Sequence, residues 1–383
     1  LHTTWRDQNV RYVLLVGDVD CIPVRYMVLD RAEPKAFNYA FYPSDLYYAD
    51  LVKASGEFDD WNARKDDFHA RYFGEVRGEF NKDDPINFDQ VDFHPDLAVG
   101  RWPVSTEEEL KVIAAKSIAH EKRIDAEKRD EGAAPPTAAL VAVGGWVDSR
   151  GLMQHLAGQL EGDDWNIERR YFSDRRRVYD TPSPTSRQVR GLFNAGARLI
   201  LHAGHGQPNA WERCFSYRDL ERLEEVDSIP IVYSASCSSA HFASLGPYEP
   251  YIDVDGVEHA GTDRGETFAS PPPPPAAYQT GQYDSDCLAE RLLHREGSGA
   301  VAYIGCNTGS QPCGLTLMRG FVEGVATQKE PRLGDCWIHA IDYYLAEERL
   351  AELKPDGGWY PASVFFQPMK FMMFGDPTLR VRR

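Results

Sequence analysis

Long hydrophobic runs are missing from this chain. No window approaches eighteen consecutive apolar residues, so no segment reads as a membrane-spanning helix. Lysine is scarce, 11 against 31 arginines, and acidic residues carry the net charge to −17. That balance argues against nucleic acid or an anionic membrane surface as a partner. Cysteine is sparse and scattered: the seven, at 21, 214, 237, 287, 306, 313 and 336, contain no CxxC pair. This excludes a zinc ribbon and argues against a disulfide scaffold; the odd number leaves at least one thiol free, as a nucleophile requires. An initiating methionine and a visible signal peptide are also missing, since the chain begins at Leu1. The expectation is an excised piece whose targeting segment lies outside it. What is present is ordinary for a globular protein: 383 residues, 42% hydrophobic and 12% aromatic, enough for one large or two medium cores.

Two stretches organise the rest. One runs from Pro230 to His241 (PIVYSASCSSAH), the other from Leu199 to Gly206 (LILHAGHG). Each is a short, β-favouring apolar run that breaks into small residues carrying one reactive group. In the first, the thiol of Cys237 sits among residues too small to cover it. In the second, glycines flank His205 and allow close approach of a ligand. Ligands of open α/β sheets collect at the carboxyl ends of parallel strands. A cysteine and a histidine leaving two such ends have the placement that a nucleophile and its base require.

At these residues the chain resembles the gingipain-type (C25) cysteine peptidases of the caspase-like clan. Further ordered landmarks carry the resemblance: Tyr12 to Asp18 (YVLLVGD) with Ile22 and Pro23, and Pro95 to Arg101 (PDLAVGR) followed by Glu107 to Leu110. Gly299 to Gly305 (GAVAYIG) and Phe374 to Arg380 (FGDPTLR) complete them. The resemblance implies a caspase-like α/β fold, a mostly parallel sheet flanked by helices in two subdomains. It implies a cysteine endopeptidase with a polypeptide substrate, a secreted or cell-surface location, and a Cys237–His205 pair. It also implies an oxyanion site made by the backbone amides of Gly206 and Cys237. At Val143-Gly-Gly145, where gingipains carry an acidic residue that orients the histidine, this chain has glycine. The expectation is therefore a dyad, with a backbone carbonyl orienting His205.

Taken in order, the chain begins with the end of a helix and a strand at 11–16. Residues 30–95 read as a long acidic loop rather than sheet. Within it Asp60, Asn62, Asp66 and Glu75 place hard oxygens as a calcium loop would, although Arg64 and Lys65 interrupt the pattern; the alternative is a solvated acidic loop. A strand at 96–100 and a long charged helix at 106–129 follow. The proline-rich segment 131–137 is the best linker and separates an N-terminal subdomain, 1–130, from a catalytic one, 137–383. Strands at 138–143, 166–172, 198–203 and 229–234 then alternate with helices at 149–160, 184–194 and 216–224, the signature of parallel construction. Residues 243–284 break that rhythm as a proline-rich insertion beside the nucleophile. A helix at 285–294, a strand at 299–304, helices at 313–326 and 332–352 and an edge strand within 365–382 complete the expectation.

Asp148 follows the strand at 138–143. By resemblance it lies near the pocket that receives a basic side chain in Arg-cleaving members; a helix N-cap at Asp148 or Ser149 explains it equally. The family's pocket aromatic near Ser310 has no counterpart here. No cofactor is expected for the chemistry, and Ca²⁺ would be structural. Three other readings remain at this stage. They are a zinc site from His202, His205, Cys237 and His241, a catalytically silent binding scaffold, and a Cys-His amidohydrolase or acyltransferase. No Gly-x-Cys-x-Gly elbow supports the last.

Overall fold

Short runs of four to six residues, most of them apolar, become the strands of one eight-stranded sheet in the computed structural model. The structure describes residues 1–28, 41–61, 91–174, 179–268, 272–280, 286–353 and 360–382. In chain order the strands are β1 (Tyr12–Val16), β2 (Ala98–Trp102), β3 (Thr137–Ala142) and β4 (Asn166–Tyr171). They continue with β5 (Leu199–Ala203), β6 (Ile231–Ala235), β7 (Ala302–Cys306) and β8 (Phe371–Phe374). Their order across the sheet is β1-β2-β8-β7-β6-β5-β3-β4. Neighbours are parallel everywhere except between β7 and β8. A block of three strands therefore runs one way and a block of five the other. The expected α/β class with a mostly parallel, helix-flanked sheet is what the chain adopts.

The central strands β5, β6 and β7 are buried along their whole length, as parallel strands covered on both faces must be. Helices supply the cover. The longest, α1 (Glu107–Arg129), opens with a capping box between Thr106 and Glu109, three glutamates in its first turn and Lys128 and Arg129 in its last. Each feature offsets the helix dipole or an unpaired terminal amide. After it come α2 (Arg150–Glu161), α3 (Ser186–Asn194), α4 (Leu288–His294), α5 (Gly314–Thr327) and α6 (Leu333–Glu347).

The first and last landmarks of the sequence meet in the three-strand block. Arg101 of β2 is fully buried, forks onto Asp45 through two 2.7 Å hydrogen bonds and donates to the Gly17 carbonyl at 2.8 Å. Bidentate pairing of this kind is what permits a guanidinium inside a core. Next to it Gly100 packs directly on the Gly375 carbonyl, leaving no room for a Cβ.

Three expectations change. The C-terminal segment forms no edge strand: β8 lies inside the sheet between β7 and β2, because all four of its residues are buried. The helix expected at 216–224 shortens to Tyr217–Leu220. Where 30–95 read as loop alone, its described part opens with a strand, Phe41–Ser44, paired antiparallel with Arg25–Val28, and a short helix, Leu46–Ala49. Strands on both sides of the 131–137 linker share the one sheet. In the proline-rich insertion, a small hairpin pairs Tyr251–Ile252 with Glu258–His259.

Candidate active site

β5 and β6 are parallel neighbours whose register pairs Ala203 with Ala235. His205 and Cys237 each lie two residues beyond that pair, so both leave the same end of the sheet on adjacent strands. Gly206 brings the two loops into contact: a Cβ on it would sit 2.5 Å from the Cys237 carbonyl and 2.6 Å from Ser236 Oγ. Only glycine fits there. The chain turns sharply at the nucleophile, Ser238 having φ +51°, and the turn is fastened by Ser238 N–H to the Thr308 carbonyl at 2.8 Å. Cys237 is half-buried, whereas Cys214, Cys287, Cys306, Cys313 and Cys336 are buried and Cys21 is exposed. Burial pushes the thiols of Cys214, Cys287 and Cys336 up, which makes them inert. The Cys237 thiol rests 3.6 Å from the Ser310 carbonyl.

His205 Nε2 lies 2.8 Å from the carbonyl of Gly145. A carbonyl only accepts, so the ring's proton sits on Nε2 and Nδ1 is left as the basic nitrogen. The Gly145 position has φ +107°, and the guanidinium of Arg213 covers it while donating to the Gly144 carbonyl at 3.0 Å. The carbonyl expected to orient His205 is thus that of Gly145; Ser310 O, a main-chain group, leaves no residue-type signal in the sequence. Beyond His205 a short ribbon pairs Gly206 with Trp211, with Glu212 N–H donating to the His205 carbonyl at 3.0 Å. Gly206 thus occupies a non-hydrogen-bonded position, and its N–H turns out of the ribbon.

Asp148 precedes α2 and is engaged by its own neighbour. Arg150 forks onto it at 2.9 and 2.8 Å, and the Arg150 backbone N–H adds a bond at 3.2 Å. Arg150 is 5% exposed, stacks 4.0 Å over Phe172 and also reaches Asp174 at 2.8 Å. These bonds hold the Asp148 carboxyl below its ordinary range, although 58% of its side chain faces solvent.

The four-ligand zinc alternative is not assembled. His202 Nδ1 is bonded to Ser234 Oγ at 2.9 Å and His241 Nε2 to Glu249 at 2.9 Å. Among the described residues, the group of three or more potential ligands that converges is Asp50, Asp59 and Asp92, with one atom of each within 4.8 Å of the others. Asp60 of the expected calcium loop is exposed, and Asn62, Asp66 and Glu75 lie outside the described residues. Asp50 Oδ2 accepts from Phe93 N–H at 3.0 Å and Asp59 Oδ2 from Asp92 N–H at 2.8 Å. Their other oxygens are buried without a hydrogen bond, Asp59 Oδ1 having only Lys53 at 3.8 Å. Burial, followed by the charges of Asp59, Asp92 and Asp96, pushes the Asp50 carboxyl up to about 8. The spacing of these three residues is irregular, and no local pattern marks them.

Against known proteins, the chain matches the family model for peptidase family C25 over residues 1–256 and 276–382. It is similar to Gingipain R2 and Gingipain R1 of Porphyromonas gingivalis, each 26% identical over 153 residues. Those residues are 39% of this chain but only 20% and 15% of the two relatives, so the match spans a fifth or less of their length. Among solved structures it is similar to the Arg-specific cysteine proteinase gingipain R, with TM-score 0.59 and 16% identity over 100% of this chain and 67% of that one. The complex of Porphyromonas gingivalis RgpB pro- and mature domains gives 0.58 and 16%, covering 99% of this chain and 67% of that one. At these identities the structural likeness speaks for the fold.

Proposed function

The chain belongs to peptidase family C25, and we propose that it is a cysteine endopeptidase in which Cys237 is the nucleophile and His205 its general base. The observation that carries this reading is the register of β5 and β6, which launches both side chains from the same end of neighbouring strands. The Nδ1 lone pair of His205, with the proton held on Nε2 by Gly145 O, takes the thiol proton. The thiolate then forms a C–S bond to the peptide carbonyl, and the negative charge that develops on oxygen meets the backbone N–H groups of Gly206 and Cys237. Collapse breaks the C–N bond, and His205 returns its proton to the departing amine. Water, deprotonated by His205, hydrolyses the thioester and regenerates the thiol. A carbonyl in place of a carboxylate behind His205 fixes the ring and its tautomer without adding charge.

Cleavage after a basic residue is part of the same proposal, with Asp148 as the anion that receives it. Its support is the name of the Arg-specific structural neighbour and the solvent-facing carboxylate of Asp148. Arg150 would keep Asp174 if Asp148 turned to a substrate. Asp148→Asn tests it: the expected result is a hundredfold or greater loss in kcat/KM for an arginyl substrate, whose charge-assisted fork onto the carboxylate is lost, with a neutral substrate scarcely affected. An unchanged ratio removes Asp148 from the pocket.

A structural Ca²⁺ in the 50–92 region completes the proposal. The donor set fits: hard carboxylate oxygens, two of them buried without a hydrogen bond, which a divalent cation would satisfy. Asp50, Asp59 and Asp92 would hold it, and it would supply stability rather than chemistry.

A further inference from the structure

The small residues around Cys237 carry hydroxyls, and these are joined. His202 Nδ1 meets Ser234 Oγ at 2.9 Å, Ser234 Oγ meets Ser236 Oγ at 2.7 Å, and Ser236 donates to Ser239 at 3.1 Å. The Tyr303 hydroxyl lies against Ser234 and Ser239 and accepts from Trp211 Nε1 at 2.9 Å. The Trp211 ring stacks back on His202, 4.3 Å between centroids and 9° from parallel. The circuit closes on itself and every member is fully buried. It ties β5, β6 and β7 together with the ribbon strand that faces Gly206.

From this arrangement we infer that the ring His202–Ser234–Ser236–Ser239–Tyr303–Trp211 positions the oxyanion-binding amides of Gly206 and Cys237. Two contacts transmit it. Ser236 presses on Gly206 from below, 2.6 Å from where a Cβ would be, and Trp211 pairs with Gly206 across the ribbon. Neither His202 nor the serines touch a substrate; they act through the backbone. Burial pushes His202 down to about 3, so it stays neutral. Its Nδ1–H can then donate to Ser234 while Nε2, without a hydrogen bond, faces Gly204, where a Cβ would lie 3.2 Å away. A hydrogen-bonded ring in a dry interior holds its geometry better than apolar packing of the same volume, because each hydroxyl fixes the rotamer of the next.

This inference rests on the Cys237–His205 reading, and its test separates the two. The variants are Ser236→Ala, His202→Leu and His202→Asn, the last keeping an N–H donor toward Ser234. Each is assayed for kcat and KM on a peptide amide, for melting temperature, and for the pH profile of Cys237 alkylation by iodoacetamide. Alkylation needs the thiolate but no oxyanion site. A mispositioned oxyanion donor should lower kcat about ten- to a hundredfold in Ser236→Ala and His202→Leu, with KM and the alkylation profile unchanged. His202→Asn should recover most of kcat. Wild-type kcat in folded Ser236→Ala overturns the inference, as does an alkylation rate that falls in step with kcat, or an Asn variant no better than Leu. If iodoacetamide leaves Cys237 unmodified, or His205→Ala leaves the profile of Cys237 unmoved, the dyad reading itself fails and the inference with it.

Discussion

Two buried polar regions of this molecule are built on opposite terms. Beneath Cys237 and His205, neutral hydroxyls, an imidazole, an indole and a phenol join in a closed circuit that leaves the neutral His202 Nε2 as its one atom without a hydrogen bond. In the pocket of Asp50, Asp59 and Asp92, carboxylates converge and two oxygens are left without a hydrogen bond. Neutral polar groups can be taken out of water at little net cost once they are paired. Carboxylates cannot, unless a proton or a cation joins them. The first region carries no buried charge and needs no ion, which suits a site that must be preorganised. The second is incomplete, which suits a site that an ion finishes.

The largest effects should come from the uncharged region. Cys237→Ala should lower peptide cleavage by several orders of magnitude, as removal of a nucleophile from a catalytic unit does, with the melting temperature nearly unchanged. Cys306→Ala and Cys313→Ala, which alter buried thiols nearby, should leave kcat within about twofold when folded. Loss of activity in either of those instead of in Cys237→Ala would put the chemistry elsewhere.

The incomplete region should respond to ions. Adding Ca²⁺ at about a hundred times its dissociation constant should raise stability by about 2.7 kcal/mol, and EDTA should reverse it without changing Cys237 labelling at low temperature. Asp50→Asn should change the stability of the metal-free protein little near neutral pH, where the raised Asp50 carboxyl is already mostly neutral, and should abolish the Ca²⁺ response. A melting temperature indifferent to both Ca²⁺ and EDTA would remove the ion from the account of this pocket.

A third cluster sharpens the comparison because it carries its own cation. His259 lies between Asp253 and Glu266, 2.9 Å from each, and stacks on Tyr251. Burial alone would lower its pKa from 6.5, but the two carboxylates outweigh burial and raise it. A raised histidine contributes stability fully below 6.5 and loses it as pH climbs through the higher folded value. Asp253 and Glu266 are lowered despite burial, by their bonds to His259 and to backbone amides, so their contribution is lost as pH falls into the acid range. The clamp is therefore strongest between these limits. Protection against hydrogen exchange in 251–259, taken relative to the intrinsic base-catalysed rate, should fall modestly from pH 6 to pH 8.5, and His259→Gln should flatten that dependence. Equal slopes in both proteins would remove His259 from the account.

The two kinds of region were unequally legible. Strands β5 and β6 could be read from their apolar runs, and His205 and Cys237 from the small residues that end them. The hydroxyls of Ser234, Ser236 and Ser239 read only as absence of bulk, because which serine meets which depends on strand register. The expected calcium loop rests on the local spacing of Asp60, Asn62, Asp66 and Glu75, of which only Asp60 lies among the described residues; Asp50, Asp59 and Asp92 converge through tertiary folding, which no local spacing marks. Likewise β8 looked like an edge because nothing in four residues says which strands will flank them. Its burial on both faces is decided by long-range pairing with β7 and β2.

The central claim, that the uncharged region serves a nucleophile, is tested most directly by mapping the thiol labelled by a peptidyl electrophile. Seven cysteines compete, and Cys21 is the exposed one. The account predicts a single label on Cys237, formed far more slowly in His205→Ala. A label on Cys21, or labelling of Cys237 that is indifferent to His205, would contradict it.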